Sequence, residues 1–136
     1  MIKIIFIPLV ISVLVQCSKT IPDIFKGSFN WKSILKYGGM PSGHSALVAS
    51  LCTMVGIAQG VDTVEFGIAV VMSVIVLRDS VGLRRIIGKQ GEVINKLNLA
   101  NKNIPAVEER VGHTPFEVLV GVIVGIGFSY LLNSII

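Results

Sequence analysis

The feature that most constrains this chain is its hydropathy pattern. Four apolar runs, residues 2–18, 45–61, 64–77 and 116–136, are separated by segments that hold most of the charged residues. A soluble domain is about 25% charged, whereas this chain of 136 residues is 15% charged and has a mean hydropathy of +0.79. In a bilayer every backbone polar group must be satisfied internally, so apolar runs of this length read as spanning helices. The second and third runs are at or below the usual ~17–25 residues, which fits if residues 60–64 lie at the membrane surface. The expected fold is all-α: an integral-membrane helical bundle of about four transmembrane helices plus an interfacial amphipathic helix, one domain over residues 1–136.

The first run, with Lys3 in front, matches a secretory signal as well as a span. Gln16 fits poorly before the cysteine of a lipoprotein cleavage site, so the run is read as a retained first helix. Gln16 near its end then needs a polar partner. In residues 19–37, Pro22 marks a turn or helix start. Ile21, Ile24, Phe25 and Phe29 suit an interfacial turn, with Trp31 and Tyr37 at headgroup depth. The second and third runs, joined by a very short link, form a hairpin. In the polar segment 78–112, Val93, Ile94 and Leu97 recur at helical spacing, which predicts an amphipathic helix broken by Pro105. Thr114 is a good N-cap and Pro115 suits the first helical position of the last span. Gly121 and Gly125 form a small-xxx-small pair for close helix packing. Cys17 and Cys52 lack metal-ligand spacing and read as buried membrane thiols, not as a disulfide.

Four spans place alternate loops on one side. The segments 19–44 and 78–115 are basic, and the positive-inside rule puts both in the cytoplasm. The net charge of +4 comes from loop Lys and Arg. It is read as topology and contact with anionic membrane lipids, not as a nucleic-acid surface. The expected location is a bacterial cytoplasmic membrane.

The topology also gathers the polar chemistry at one face. Gly38-Gly39-Met40-Pro41-Ser42-Gly43-His44-Ser45 forms a tight loop that opens a helix, where free N–H groups and the positive dipole end favour an anion. Arg84 and Arg85 supply planar forks for phosphate oxygens. A neutral histidine can attack phosphorus and a protonated one can protonate a leaving oxygen. Glu117, four residues after His113, can share a helix face with it and set its tautomer. The bland counterparts are a helix cap at Ser42 or Ser45, a topology signal at Arg84-Arg85, and a carboxylate that merely favours a helix N-terminus. A nucleotide P-loop is disfavoured, since His44 stands in place of lysine and no strand precedes it. Two histidines and one carboxylate are a thin ligand set, so neither metal nor other cofactor is expected.

Three stretches then carry a family likeness: Gly39-Met40-Pro41-Ser42-Gly43-His44-Ser45-Ala46; Asp79-Ser80-Val81-Gly82-Leu83-Arg84-Arg85 with Gly88-Lys89-Gln90; and Gly112-His113-Thr114-Pro115-Phe116-Glu117-Val118. In this order, with Gln16 and Lys19 at the end of the first span, the chain resembles the divergent branch of the type 2 phosphatidic acid phosphatase superfamily. That superfamily includes lipid phosphatases, bacterial acid phosphatases and vanadium haloperoxidases. The resemblance implies a metal-independent reaction through a phosphohistidine, with His113 as nucleophile, Glu117 orienting it in place of an aspartate, and His44 as general acid. It also implies phosphate binding by Ser42 and the Gly43 amide. The superfamily's last motif has arginine six residues before the nucleophile, where this chain has Val107. Arg84 and Arg85 are the expected substitutes, with Lys36 and Lys89 as weaker ones and Asp79 and Gln90 in secondary roles. Membrane members of the superfamily typically carry six helices, so a homo-oligomer is a further expectation. The expected function is a phosphatase for a lipid phosphomonoester or diphosphate of the phosphatidate, phosphatidylglycerol phosphate or polyprenyl phosphate class. The alternative is a non-catalytic membrane protein that binds an anionic lipid or a partner.

Overall fold

A computed structural model describes residues 2–25, 27, 39–98, 105–109 and 111–136. These form six helices: α1 (Ile2–Ser18), α2 (Ile21–Phe25), α3 (Gly43–Gln59), α4 (Val64–Val81), α5 (Leu83–Asn98) and α6 (Pro115–Ile135). Their order follows the hydropathy pattern, with α2 and α5 as the short and the amphipathic extras. Phe29, Trp31, Tyr37 and Lys36 lie outside the described residues.

Local chemistry sets most of the boundaries. Ser42 caps α3, accepting from the Ser45 N–H at 3.4 Å and the Ser45 hydroxyl at 2.8 Å. Gly60 ends α3 at φ +94°, a backbone region that glycine enters without a Cβ penalty. Thr63 then caps α4 through the Phe66 N–H, which closes the expected hairpin. Gly82 separates α4 from α5, and a Cβ there would stand 2.9 Å from the Arg78 carbonyl. Thr114 caps α6 with Pro115 in its first turn, as the sequence predicts.

The centre of the bundle is α3, packed against α1, α4 and α6. Ile7, Ile11, Val15, Ala46 and Met54 form its core, flanked by Ile4, Val124 and Leu132. Between α3 and α6 the backbones meet directly. A Cβ on Gly121 would lie 2.6 Å from the Ser42 carbonyl, and one on Gly125 would overlap the Ala46 carbonyl. Membrane helices associate through this kind of close packing and through interhelical hydrogen bonds. The buried Ser129 hydroxyl supplies one such bond, 2.7 Å from Ser50 Oγ and 2.7 Å from the Gly125 carbonyl. Ser73 reaches from α4 to the Val48 carbonyl at 3.2 Å.

The outside is apolar. Ile5, Leu9 and Val13 on α1, Ile68, Val71 and Ile75 on α4, and Leu119 and Ile123 on α6 are all more than half exposed. Soluble monomers rarely show a contiguous apolar surface of this extent, and a bilayer supplies the missing cover. Helix α6 and the helical stretch that includes α4 are long and apolar enough to cross a membrane, while α1 and α3 are shorter apolar helices. The chain is an all-α helical bundle of membrane type.

Helix α5 is amphipathic in a specific way. Ile86, Val93, Ile94 and Leu97 are exposed on one side. On the other, Gly88 and Gly91 lie against the backbone of Glu108, Glu109 and Val111, where a Cβ would stand 2.5 Å from the Glu109 carbonyl and 2.7 Å from the Glu108 carbonyl. Asn95 completes the clasp, its amide pairing with both the N–H and the carbonyl of Val107 at 2.8 and 2.7 Å. Cys17 and Cys52 are free thiols; Cys17 is exposed, contrary to the buried position expected for it.

Candidate active site

The ends of α1 and α4 and the starts of α3 and α6 share one face, and two backbone hydrogen bonds tie them together. The Ser42 N–H donates to the Glu117 carbonyl at 3.2 Å, and the His113 N–H donates to the Ser80 carbonyl at 3.1 Å. Gly112, at φ +95°, sits against the Arg84–Arg85 backbone so closely that a Cβ would lie 2.7 Å from the Arg85 nitrogen. The segment carrying His113 is therefore pinned to the first turn of α5.

His113 is 7% exposed. Its Nδ1 lies 3.2 Å from Glu117 Oε2, and the same oxygen accepts from the Thr114 N–H at 3.0 Å. The Glu117 N–H in turn donates to Thr114 Oγ1 at 3.2 Å, which closes a capping box. The two residues do not share a helix face, as their spacing suggested. His113 precedes α6, and Glu117 reaches it by folding back over the cap. A carboxylate only accepts, so Nδ1 carries the proton and Nε2 keeps its lone pair. Burial holds the His113 pKa below the ordinary histidine value, against the opposing pull of the Glu117 hydrogen bond, while the Lys19 charge lowers it further. The ring is thus neutral at pH 7.

His44 stands exposed in the first turn of α3. Burial lowers the His44 pKa from the ordinary histidine value, and the positive charges of Arg84, His113 and Lys19 lower it further, with Asp79 opposing them. Ser42 is fully buried as the cap, and Gly43 is buried beside Gln16, whose Oε1 lies 3.6 Å from where a Gly43 Cβ would be. Arg84 donates through Nε to Asp79 Oδ2 at 2.8 Å, both side chains about one-third exposed.

The other residues singled out in the sequence are placed elsewhere or stand apart. Arg85 is exposed, and it is Arg84 whose charge acts on His44. Lys89 and Gln90 lie on the outer side of α5 with Ile86, Val93 and Ile94. Val107 pairs with Asn95, eleven residues along α5 from Arg84, or about 16 Å at 1.5 Å per residue.

One residue at the site was not assigned there from sequence: Lys19. It follows α1 in a turn closed by its N–H to the Gln16 carbonyl at 3.3 Å. Its stem passes under the loop, Cδ lying 3.9 Å from where a Gly39 Cβ would be. Its charge acts on His44, His113 and Glu117. Burial lowers its pKa from the ordinary lysine value, with Glu117 opposing. The only signal was the polar pair Gln16 and Lys19 closing an apolar run. Among the described residues, no group of three His, Cys, Asp or Glu side chains is placed to hold a metal ion.

A helical membrane bundle with two histidines, a carboxylate and two cations at one end defines the class of protein. The model of a family described as "Divergent PAP2 family" matches residues 2–128. The chain belongs to that family. It is 34% identical over 125 residues to a Bacillus subtilis (strain 168) protein described as "Uncharacterized membrane protein YuiD", covering 80% of this chain and 79% of that protein. No solved structure matches.

Proposed function

We propose that this membrane protein is a metal-independent lipid phosphatase acting at the membrane interface, with its site on the cytoplasmic face. One observation carries the reading: a buried, neutral His113, oriented by Glu117, shares a small polar site with His44, Lys19 and Arg84. In the first step His113 Nε2 attacks phosphorus. An N–P bond forms, the ester P–O bond breaks, and His44, whose pKa the surrounding cations hold low until the negative charge of the bound phosphate offsets them, gives its proton to the leaving oxygen. In the second step His44, now neutral, takes a proton from water as the oxygen attacks. The N–P bond breaks and inorganic phosphate leaves. Ser42, the Gly43 amide, Arg84 and Lys19 bind the phosphoryl oxygens and stabilise the charge that develops on them. Lys19 and Arg84 take the place of the arginine absent at position 107.

The test is phosphate release from phosphatidate by purified protein in EDTA. Activity should survive the chelator and be blocked by vanadate, which mimics a phosphoryl group with extra ligands. Dependence on added zinc or magnesium would contradict the proposal. A second reading, a non-catalytic binder of anionic lipid, draws support from the cations gathered around His44, which together with burial disfavour the protonated form that a general acid needs. Under that reading phosphatidate binds without phosphate release.

A further inference from the structure

We infer that a groove between α1 and α6 holds one hydrocarbon chain of the phosphate-bearing lipid; this rests on the reading of the polar site as a lipid-phosphate site. Ile11 and Val15, both buried, belong to its lining, with Leu14 and Phe128 half-exposed beside them. Val124 adds to the α6 wall, and Ser18 and Pro41 complete the lining. The volume is about 230 Å³. That is below the ~300–1,000 Å³ of pockets that enclose a drug-sized body and suits a single slender chain.

The placement names the occupant. Pro41 immediately precedes Ser42, so the groove starts where the candidate phosphate site ends. From Ser18 to Ile11 it descends about 10 Å along α1 at 1.5 Å per residue. On α6, Val124 and Phe128 lie about 15 and 21 Å beyond Thr114 by the same rise. In a hydrocarbon core about 30 Å thick, these positions run from headgroup level to the middle of the bilayer. A lipid whose phosphate rests on Ser42 and His44 sends its chain along this path. A water-soluble phosphate has no use for it. Leu14 and Phe128, on different helices, leave the groove open sideways, so the chain enters from the bilayer and not through the aqueous face.

Val124→Trp and Leu14→Trp, from opposite walls, fill the groove; Ile123→Trp, on the exposed side of α6, is the control. Full-length protein in dodecyl maltoside with EDTA is assayed on dioleoyl and dihexanoyl phosphatidate. Either groove variant should lower kcat/KM for the long-chain lipid at least ten-fold relative to the short-chain one, and the control should leave that ratio unchanged. An unchanged ratio in both groove variants overturns the inference. If the wild type releases phosphate from neither lipid, the phosphatase reading has failed and the groove is tested by equilibrium binding of the same lipids. Tighter wild-type binding of the long-chain lipid by ten-fold or more, abolished in the groove variants, supports it. Equal affinity for the two lipids, a preference that survives in both variants, or no binding overturns it.

Discussion

Glu117 Oε2 lies 3.2 Å from His113 Nδ1 and 3.0 Å from the Thr114 nitrogen, so one carboxylate oxygen serves both a helix cap and an imidazole. The two duties separate by substitution. Glu117→Gln keeps an acceptor for the cap but cannot stabilise an imidazolium as a carboxylate does. It should lower phosphate release by roughly ten-fold or more, about 1.4 kcal/mol of transition-state stabilisation, with little change in thermal stability. Thr114→Ala removes the cap itself and should cost about 1 kcal/mol of stability. A Glu117→Gln protein with wild-type turnover would remove Glu117 from the chemistry.

Burial lowers the His113 pKa, and Lys19 lowers it further through its charge. The nucleophile must be neutral, so kcat/KM falls as pH drops through this lowered value, below the ordinary histidine range. Lys19→Met removes a positive charge beside the ring and raises the pKa. The acid limb of the profile should therefore move to higher pH, together with a rise in KM from the lost phosphate contact. A pH–rate profile on both proteins checks the sign. An acid limb that stays in place or moves to lower pH would separate Lys19 from His113.

The bundle was largely legible in the sequence, because apolar runs, caps and small-xxx-small spacing act locally. The Thr114–Pro115 start of α6, the α3–α4 hairpin and the amphipathic α5 all follow from residues within a turn or two of one another. The histidines were gathered at one face by topology alone. The identity of the cations was not legible. Arg84 and Arg85 are adjacent, and only the register of α5 against Gly112 distinguishes them. Lys19 joins the site through packing of the α1 end under the Gly39 loop, which no local pattern encodes.

That distinction gives a third test. A lysine offers a point charge where arginine offers a planar fork. Arg84, bound by Asp79 through Nε, keeps its other guanidinium nitrogens for phosphate oxygens. Arg84→Lys should lower turnover by roughly ten-fold or more, about 1.4 kcal/mol. Arg85→Lys, on an exposed side chain, should stay within about two-fold, since each ten-fold step corresponds to about 1.4 kcal/mol. Equal losses in both variants would return Arg85 to the site.

The α3–α6 seam predicts the largest structural effect. Gly125→Leu drives a side chain into the Ala46 backbone and should prevent a monodisperse folded protein in detergent. Ser129→Ala removes a buried interhelical bond and should cost only about 0.6 kcal/mol, the average for such bonds in a membrane. Thermal melting followed by size-exclusion chromatography reads both.

In the proposed reaction His113 carries the phosphoryl group. The most direct measurement is to mix full-length protein with phosphatidate radiolabelled at phosphorus, in EDTA, quench in alkali, and map the label. The expected result is an acid-labile, alkali-stable phosphohistidine at His113 in the wild type, absent from His113→Ala, which also releases no phosphate. Phosphate release by His113→Ala at the wild-type rate, with no label on the wild-type histidine, would contradict it.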